Sequence, residues 1–168
     1  SCILLARLAL FFKVWNLETN REKLEFSLVH RVSEDLQAGI EYGADSNELY
    51  PMINYRLVSA TDDTPAIIVG TSSAWPSGEV DGNAFFISTA TLLSDRSSGS
   101  LSLSYTPDDE SWKIPASYRY VLTDEIDASL IWDGENLHPL VTWRGSKMNF
   151  SLILLGGEDL TLSTTVNF

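Results

Sequence analysis

Apolar and small polar side chains alternate along most of this chain. The clearest case lies at positions 100–105, where serines alternate with Leu101, Leu103 and Tyr105. Successive side chains of an extended segment point to opposite faces, so a spacing of two predicts strands with one apolar and one polar face. Beyond Asn16, no window shows convincing three-and-four spacing of apolar residues, the mark of an amphipathic helix. The pattern therefore predicts an all-β protein.

Turn-forming residues separate the alternating segments. Positions 23–32 and 36–43 flank a tight turn at 33–35, which predicts a hairpin. Further strands are predicted at 49–60, 64–73, 83–94, 100–105, 113–123, 126–133, 137–144, 148–154 and 160–168. These give eleven antiparallel strands in a single domain, residues 1–168.

The first fifteen residues allow two interpretations. Apolar residues at every second position from Leu4 to Val14, with Arg7 and Lys13 between them, predict a twelfth strand. The alternative is that residues 1–15 are the remnant of a trimmed secretion signal, or a helix. We favour the strand because the spacing of two continues through both basic residues.

The last nine residues carry the most specific pattern. Apolar side chains and a threonine alternate there with small polar ones, and the final residue is aromatic. The apolar positions are Leu160, Leu162, Val166 and Phe168. This segment resembles the closing strand of bacterial outer-membrane β-barrels, which implies that it is the insertion signal read by the barrel-insertion machinery. The stretches 36–43, 54–73 and 133–138 also resemble uncharacterised barrel proteins of Gram-negative bacteria.

Composition agrees with that resemblance. Hydrophobic residues make up 44% of the chain and the mean hydropathy is close to zero. A helical membrane protein would need apolar runs of about 18 residues, whereas a membrane barrel has a bland average because half of each strand faces water. The fold class predicted is an antiparallel, up-and-down transmembrane β-barrel of about 12 strands, located in the bacterial outer membrane.

Charge and aromatic residues add to this picture. Only Glu25, Glu41 and Asp127 of the 23 acidic residues lie in the interior of predicted strands. The others fall in predicted turns and loops or, for Asp133, at a strand end, and the net charge of −12 argues against nucleic-acid binding. Shorter and longer predicted connections alternate along most of the chain, as expected for a barrel with short periplasmic turns and longer external loops. Trp and Tyr residues near predicted strand ends suggest interfacial girdles. They are Trp15, Tyr42, Tyr50, Trp75, Tyr105, Trp112, Trp132 and Trp143.

Polar residues inside the predicted strands form the candidate site. On a barrel they would line the lumen, where opposite charges can pair and fill the space or leave a small polar channel. They are Gln37, Glu41, Asn54, Arg56, Lys113, Arg119, Asp127, Thr142, Arg144 and Asn149.

No motif for catalysis, cofactor binding or metal binding is evident. A single cysteine, Cys2, excludes a disulfide framework, and His30 and His138 are interpreted as solvated or interface residues. Acidic clusters near 108–110, 133–135 and 158–159 are expected to form a solvated rim.

Three functions follow as expectations. The first is a non-enzymatic outer-membrane barrel with a structural or anchoring role in the cell envelope. Its partners would be outer-membrane lipid, the insertion machinery and other envelope proteins. The second is a narrow, porin-like channel for small polar solutes. The third, from a different class, is a soluble all-β binding module.

Overall fold

A single antiparallel sheet contains all the regular structure in the described part of the chain. The computed structural model describes residues 6–13, 24–44, 46–61, 63–73 and 82–167. The strands are β1 (Ala6–Lys13), β2 (Leu24–Arg31), β3 (Leu36–Gly43), β4 (Glu48–Val58), β5 (Ala66–Ser73), β6 (Asn83–Ser94), β7 (Ser97–Thr106), β8 (Ser111–Lys113), β9 (Ala116–Val121), β10 (Ile126–Trp132), β11 (Leu137–Arg144), β12 (Met148–Leu155) and β13 (Asp159–Asn167). Within these ranges, no helix is long and apolar enough to cross a membrane.

The strands follow one another as a meander. Pairing runs from β6 back to β1, then from β13 back to β9, with β7 beside β9. β1 pairs with β2 on one side and with β13 on the other, through seven residue pairs from Arg7↔Asn167 to Lys13↔Thr161. β6 also pairs with β7, from Phe85↔Tyr105 to Ser94↔Ser97. The predicted all-β, antiparallel class is confirmed.

The predicted number of strands is confirmed as well. β8 and β9 both pair with β7 and so occupy one position of a sheet with twelve strands. They are separated at Ile114 and Pro115, where a single strand was predicted. Proline lacks the N–H that a ladder hydrogen bond needs, although the Pro115 carbonyl still accepts from the Ser102 N–H at 2.8 Å. The predicted first strand corresponds to β1.

The connections between strands lie at two opposite ends of the strands, and we call these two rims of the sheet the turn edge and the loop edge. The turn edge carries the connections at 32–35, 59–65, 95–96, 122–125 and 145–147. The loop edge carries those at 44–47, 107–110, 133–136 and 156–158. Residues 14–23 and 74–81, which follow β1 and β5 in the sequence, lie outside the described residues. The predicted contrast in length is weak, because the 59–65 connection exceeds every fully described connection at the loop edge.

Burial along the strands is inverted relative to a soluble protein. In β4 the exposed positions include Leu49, Ile53, Tyr55 and Leu57, while the residues between them are half-buried. We call the face with the exposed apolar side chains the apolar face. It includes Leu28, Ile40, Ile53, Leu103, Leu130 and Leu152.

The opposite side of the sheet, here called the polar face, holds most of the buried groups. Ser27, Glu41, Asp127, Thr161 and Ser163 on this face are each at most 7% exposed. Across the described residues, the buried hydrophobic side chains are those of Ala84, Ile153 and Leu155. Most of the large apolar residues therefore lie on the side of the sheet that the protein itself leaves uncovered.

Close strand approach on the polar face depends on glycine. A Cβ on Gly39 would overlap the Leu28 carbonyl oxygen and lie 2.9 Å from the Val29 Cα, both backbone atoms of β2. A Cβ on Gly70 would lie 2.9 Å from the Phe86 ring, which explains how an aromatic residue fits among polar positions. These two sites tolerate no side chain without movement of neighbouring atoms.

We predict that Gly39→Ala lowers the free energy of unfolding by about 1–3 kcal/mol, because the methyl group forces β2 and β3 apart. Denaturant titration followed by tryptophan fluorescence measures this. Gly99→Ala is the matched control, because the closest contact of its Cβ would be a flexible atom, Leu93 Cδ1, at 3.3 Å, and the nearest backbone atom, the Ser117 oxygen, would lie at 3.5 Å. Its stability should change by less than about 1 kcal/mol. Equal stability losses in the two variants would contradict the prediction.

Candidate functional site

The ten polar residues predicted as a set share the polar face. Register pairs Gln37 with Asn54, Asp127 with Thr142, and Arg144 with Asn149. The structure separates the set into two groups along the strands. Glu41 and Lys113 lie toward the loop edge. The others lie toward the turn edge: Gln37, Asn54, Arg56, Arg119, Asp127, Thr142, Arg144 and Asn149.

Asp127 is the centre of the turn-edge group. Its side chain is 3% exposed, and it lies between Arg119 on β9 and Arg144 on β11. Arg119 donates from Nη2 to Asp127 Oδ2 at 3.2 Å, and its Nε lies 3.2 Å from Oδ1. Arg144 donates from Nε to Oδ2. A buried carboxylate needs such partners, because leaving it unpaired costs several kcal/mol.

The two arginines differ from Asp127 in their exposure. The side chain of Arg119 is 39% exposed and that of Arg144 is 43% exposed. Their contacts with Asp127 use only part of the N–H donors that two guanidinium groups carry. One negative charge therefore faces two positive charges. Both arginine side chains remain partly exposed, although Arg119 Nε itself is buried.

Arg56 lies on β4 at the same edge. It contacts the turn between β2 and β3, donating from Nε to Asp35 Oδ1 at 2.8 Å and from Nη2 to the Glu34 carbonyl at 3.2 Å. With Arg56 38% and Asp35 46% exposed, this ion pair contributes little to stability. Its effect is to fix the guanidinium group at the turn edge.

Hydroxyl groups link neighbouring strands across the rest of the polar face. Ser102 donates to Ser88 at 2.8 Å, and the Ser100 and Ser117 oxygens lie 2.6 Å apart. Thr142 and Ser151 make a similar pair at 2.8 Å. Sequence reasoning identified Thr142 alone among these residues, because cross-strand pairing depends on a register that the sequence does not display.

A second charged cluster lies at the loop edge, and the sequence interpretation of its histidine was wrong. His138 was expected to be solvated or at an interface, but it is fully buried. Its Nδ1 accepts from the Gly156 backbone N–H at 2.9 Å, so the ring proton resides on Nε2, which donates to Asp133 Oδ2 at 2.8 Å. Both ring nitrogens are thus engaged, which favours a structural over a catalytic role.

Asp133 connects this cluster to its own turn. Its Oδ1 accepts from the backbone N–H groups of Glu135 and Asn136, both at 2.7 Å. The turn that follows β12 has two glycines at positive φ, Gly156 at 61° and Gly157 at 77°, a conformation that glycine adopts without strain. The His138 cluster therefore ties the β10–β11 connection to the β12–β13 connection.

The acidic rim expected near 133–135 and 158–159 is only partly solvated. Asp133 and Asp159 are buried, at 3% and 5% exposure. Glu135 is exposed and lies 3.3 Å from the Lys113 Nζ. Aspartates 108 and 109 and Glu110 are exposed, as expected. Across the described ranges, no group of three or more His, Cys, Asp or Glu side chains is arranged to hold a metal ion.

The residues predicted as an insertion signal lie on β13. Leu160 is 43% exposed on the apolar face, and Leu162 and Val166 occupy the same alternate positions. Phe168 lies outside the described residues. Comparison with protein-family models finds no match, and comparison with curated proteins finds no significant match.

We predict that His138→Ala lowers the free energy of unfolding by about 3 kcal/mol or more, because it opens a cavity and leaves Oδ2 of buried Asp133 without its imidazole donor. Chemical denaturation gives the value. His30→Ala is the control, since His30 lies partly exposed on the apolar face and should cost less than about 1 kcal/mol. A His138 variant as stable as the His30 variant would rule out this structural role.

Proposed function

We propose that this chain is a β-barrel of the bacterial outer membrane with a structural or anchoring role in the cell envelope. The observation that carries the proposal is the inverted burial. Among the described residues, 27 large hydrophobic side chains are exposed and three hydrophobic side chains are buried. Contiguous apolar patches beyond a few hundred Å² are uncommon on soluble monomers and point to a protein or membrane partner.

Strand pairing supports closure of the sheet. Backbone polar groups in hydrocarbon must find partners within the protein, which a barrel achieves by pairing its first strand with its last. β1 has hydrogen-bonded neighbours on both sides, and so does β6. A meander of twelve strands with such pairing fits the even strand number of single-chain bacterial barrels.

Aromatic residues on the apolar face support interfacial girdles. Near the loop edge, the rings of Tyr105 and Trp112 pack in a tilted arrangement with their centroids 4.8 Å apart. Near the turn edge, Trp143 and Phe150 stack at 5.8 Å. Such side chains are enriched where hydrocarbon meets water. Tyr50 is an exception to the expected girdle, because it lies on the polar face and donates to Glu48.

The polar face favours a structural role over an open pore along much of its length. Ion pairs and hydroxyl pairs join side chains of adjacent strands, as in the Asp127 group and the Thr142–Ser151 pair. Such networks stiffen a protein where their members are satisfied, as Asp127, Thr142 and Ser151 are here, whereas Arg119 Nε makes no hydrogen bond. In this proposal the lumen is a scaffold, and outer-membrane lipid and other envelope proteins are the partners of the outer surface.

A narrow channel for small polar solutes is the second candidate. The observation in its favour is the accessibility of Arg119 and Arg144, each about 40% exposed on the polar face. A small residue, Ser98, lies opposite Arg119 in register on the neighbouring strand β7. Conductance across planar bilayers separates this candidate from a sealed scaffold.

Arginine substitutions at two depths on the apolar face test membrane embedding, because their cost in unfolding free energy depends on depth in the bilayer. Leu152, at the centre of β12, is 51% exposed, and Leu122, just beyond the end of β9, is 49% exposed. In phospholipid vesicles, we expect Leu152→Arg to lower the unfolding free energy by about 2–4 kcal/mol and Leu122→Arg by about 0–1 kcal/mol.

Denaturant unfolding of the two variants in vesicles measures the difference, with heat-modifiable migration on a gel as evidence of a folded barrel. On a soluble module both residues would face water, and both substitutions would be nearly neutral. Near-equal stabilities, together with a protein that stays monodisperse without detergent, would contradict the proposed location.

A further inference from the structure

Charges on the polar face are segregated along the strand axis. The described arginines of this face lie within three residues of the turn-edge end of their strands: Arg31, Arg56, Arg119 and Arg144. Carboxylates collect toward the loop edge: Glu25, Glu41, Glu48, Asp133 and Asp159. In a closed sheet, this distribution places arginines on the interior wall near one end of the strands and carboxylates on the wall near the other end.

Two groups depart from this segregation. Lys113 lies toward the loop edge, where it pairs with Glu135, and Asp127 lies toward the turn edge, where its charge balances only one of two arginines. Its single charge is shared by Arg119 and Arg144, which leaves one net positive charge in the group. Asp35 neutralises Arg56 from outside the strands, in the turn between β2 and β3. On the strands of the turn edge, uncompensated positive charge therefore lies in two places: at Arg31 on β2 and in the group formed by Arg119, Asp127 and Arg144.

We propose that the turn-edge end of the interior binds small oxyanions, with Arg119 and Arg144 as the principal ligands and Arg31 supplying long-range attraction. This inference rests on the proposed barrel. A planar guanidinium group recognises carboxylate or phosphate oxygens through paired N–H donors. Ser98 lies opposite Arg119 in register, and its hydroxyl group is a further donor that such a ligand could use.

The same arrangement predicts whether the interior would favour anions or cations. Rings of Arg and Lys favour anions in pores, whereas rings of Asp and Glu favour cations. The exposed arginines make the turn edge the anion-selective end. Several loop-edge carboxylates are inaccessible to a solute, since Glu41, Asp133 and Asp159 are each at most 7% exposed.

Calorimetric titration of the refolded protein in detergent micelles with inorganic phosphate, at low ionic strength, tests the site. The wild type should show saturable binding. Arg119→Gln combined with Arg144→Gln should weaken it by about tenfold or more, because charge-assisted hydrogen bonds are lost. Asp127→Asn should tighten binding several-fold, because it removes the competing carboxylate. Arg96→Gln, in the exposed turn after β6, is the matched control and should change affinity less than twofold.

The outcomes separate this site from the barrel itself. A heat-modifiable wild type that binds no phosphate, or a double variant that binds as tightly as the wild type, overturns the oxyanion site and leaves the barrel standing. A wild type that is soluble without detergent and migrates identically before and after boiling overturns both. Should the double variant fail to refold, Asp127→Asn decides the matter, since weaker binding by that variant contradicts the site.

Discussion

Alternation of side chains between two faces of a single sheet is the constraint on which the rest of this molecule depends. A strand offers every second side chain to each face, and here the uncovered face carries Leu, Ile, Phe, Trp and Tyr while the covered face carries Ser, Thr, Asp and Glu. Burial of apolar surface is the main favourable term in folding. With three hydrophobic side chains buried among the described residues, that term is small unless the apolar face meets an apolar environment.

The polar face has the opposite requirement, because each buried polar group must find a partner. Asp127 meets it with two arginines from separate strands, and His138 meets it with Asp133 and a backbone amide of the next turn. Arg119 and Arg144 lie on the strands on either side of Asp127, and Gly156 lies in a different turn from His138. Each cluster therefore links neighbouring parts of the sheet as well as satisfying its own polar groups. The apolar exterior and the cross-linked polar side are two results of one pattern.

The sequence predicted the strands well because alternation is a local property, readable within one strand such as β7 or β11. It also placed Arg119, Asp127 and Arg144 on one face. It did not predict their contact, nor the burial of His138, because those depend on register and on a turn that lies eighteen positions away at Gly156. Phe86 broke the alternation for a similar reason, since the space for its ring is provided by Gly70 on the neighbouring strand. Pro115 separates β8 from β9 opposite β7, whereas the alternation of the residues around it predicted one continuous strand.

Spin-label accessibility along β12 tests the central claim most directly. Single cysteines are introduced at positions 148–155 in a Cys2→Ser background, labelled with a nitroxide and reconstituted in phospholipid vesicles. The proposed barrel predicts that collisions with oxygen, which concentrates in hydrocarbon, peak at Met148, Phe150, Leu152 and Leu154. Collisions with a water-soluble nickel complex should not peak at those positions. Nickel accessibility that peaks at these four positions, with no oxygen maximum there, would show that the apolar face meets water and would contradict a membrane-embedded barrel.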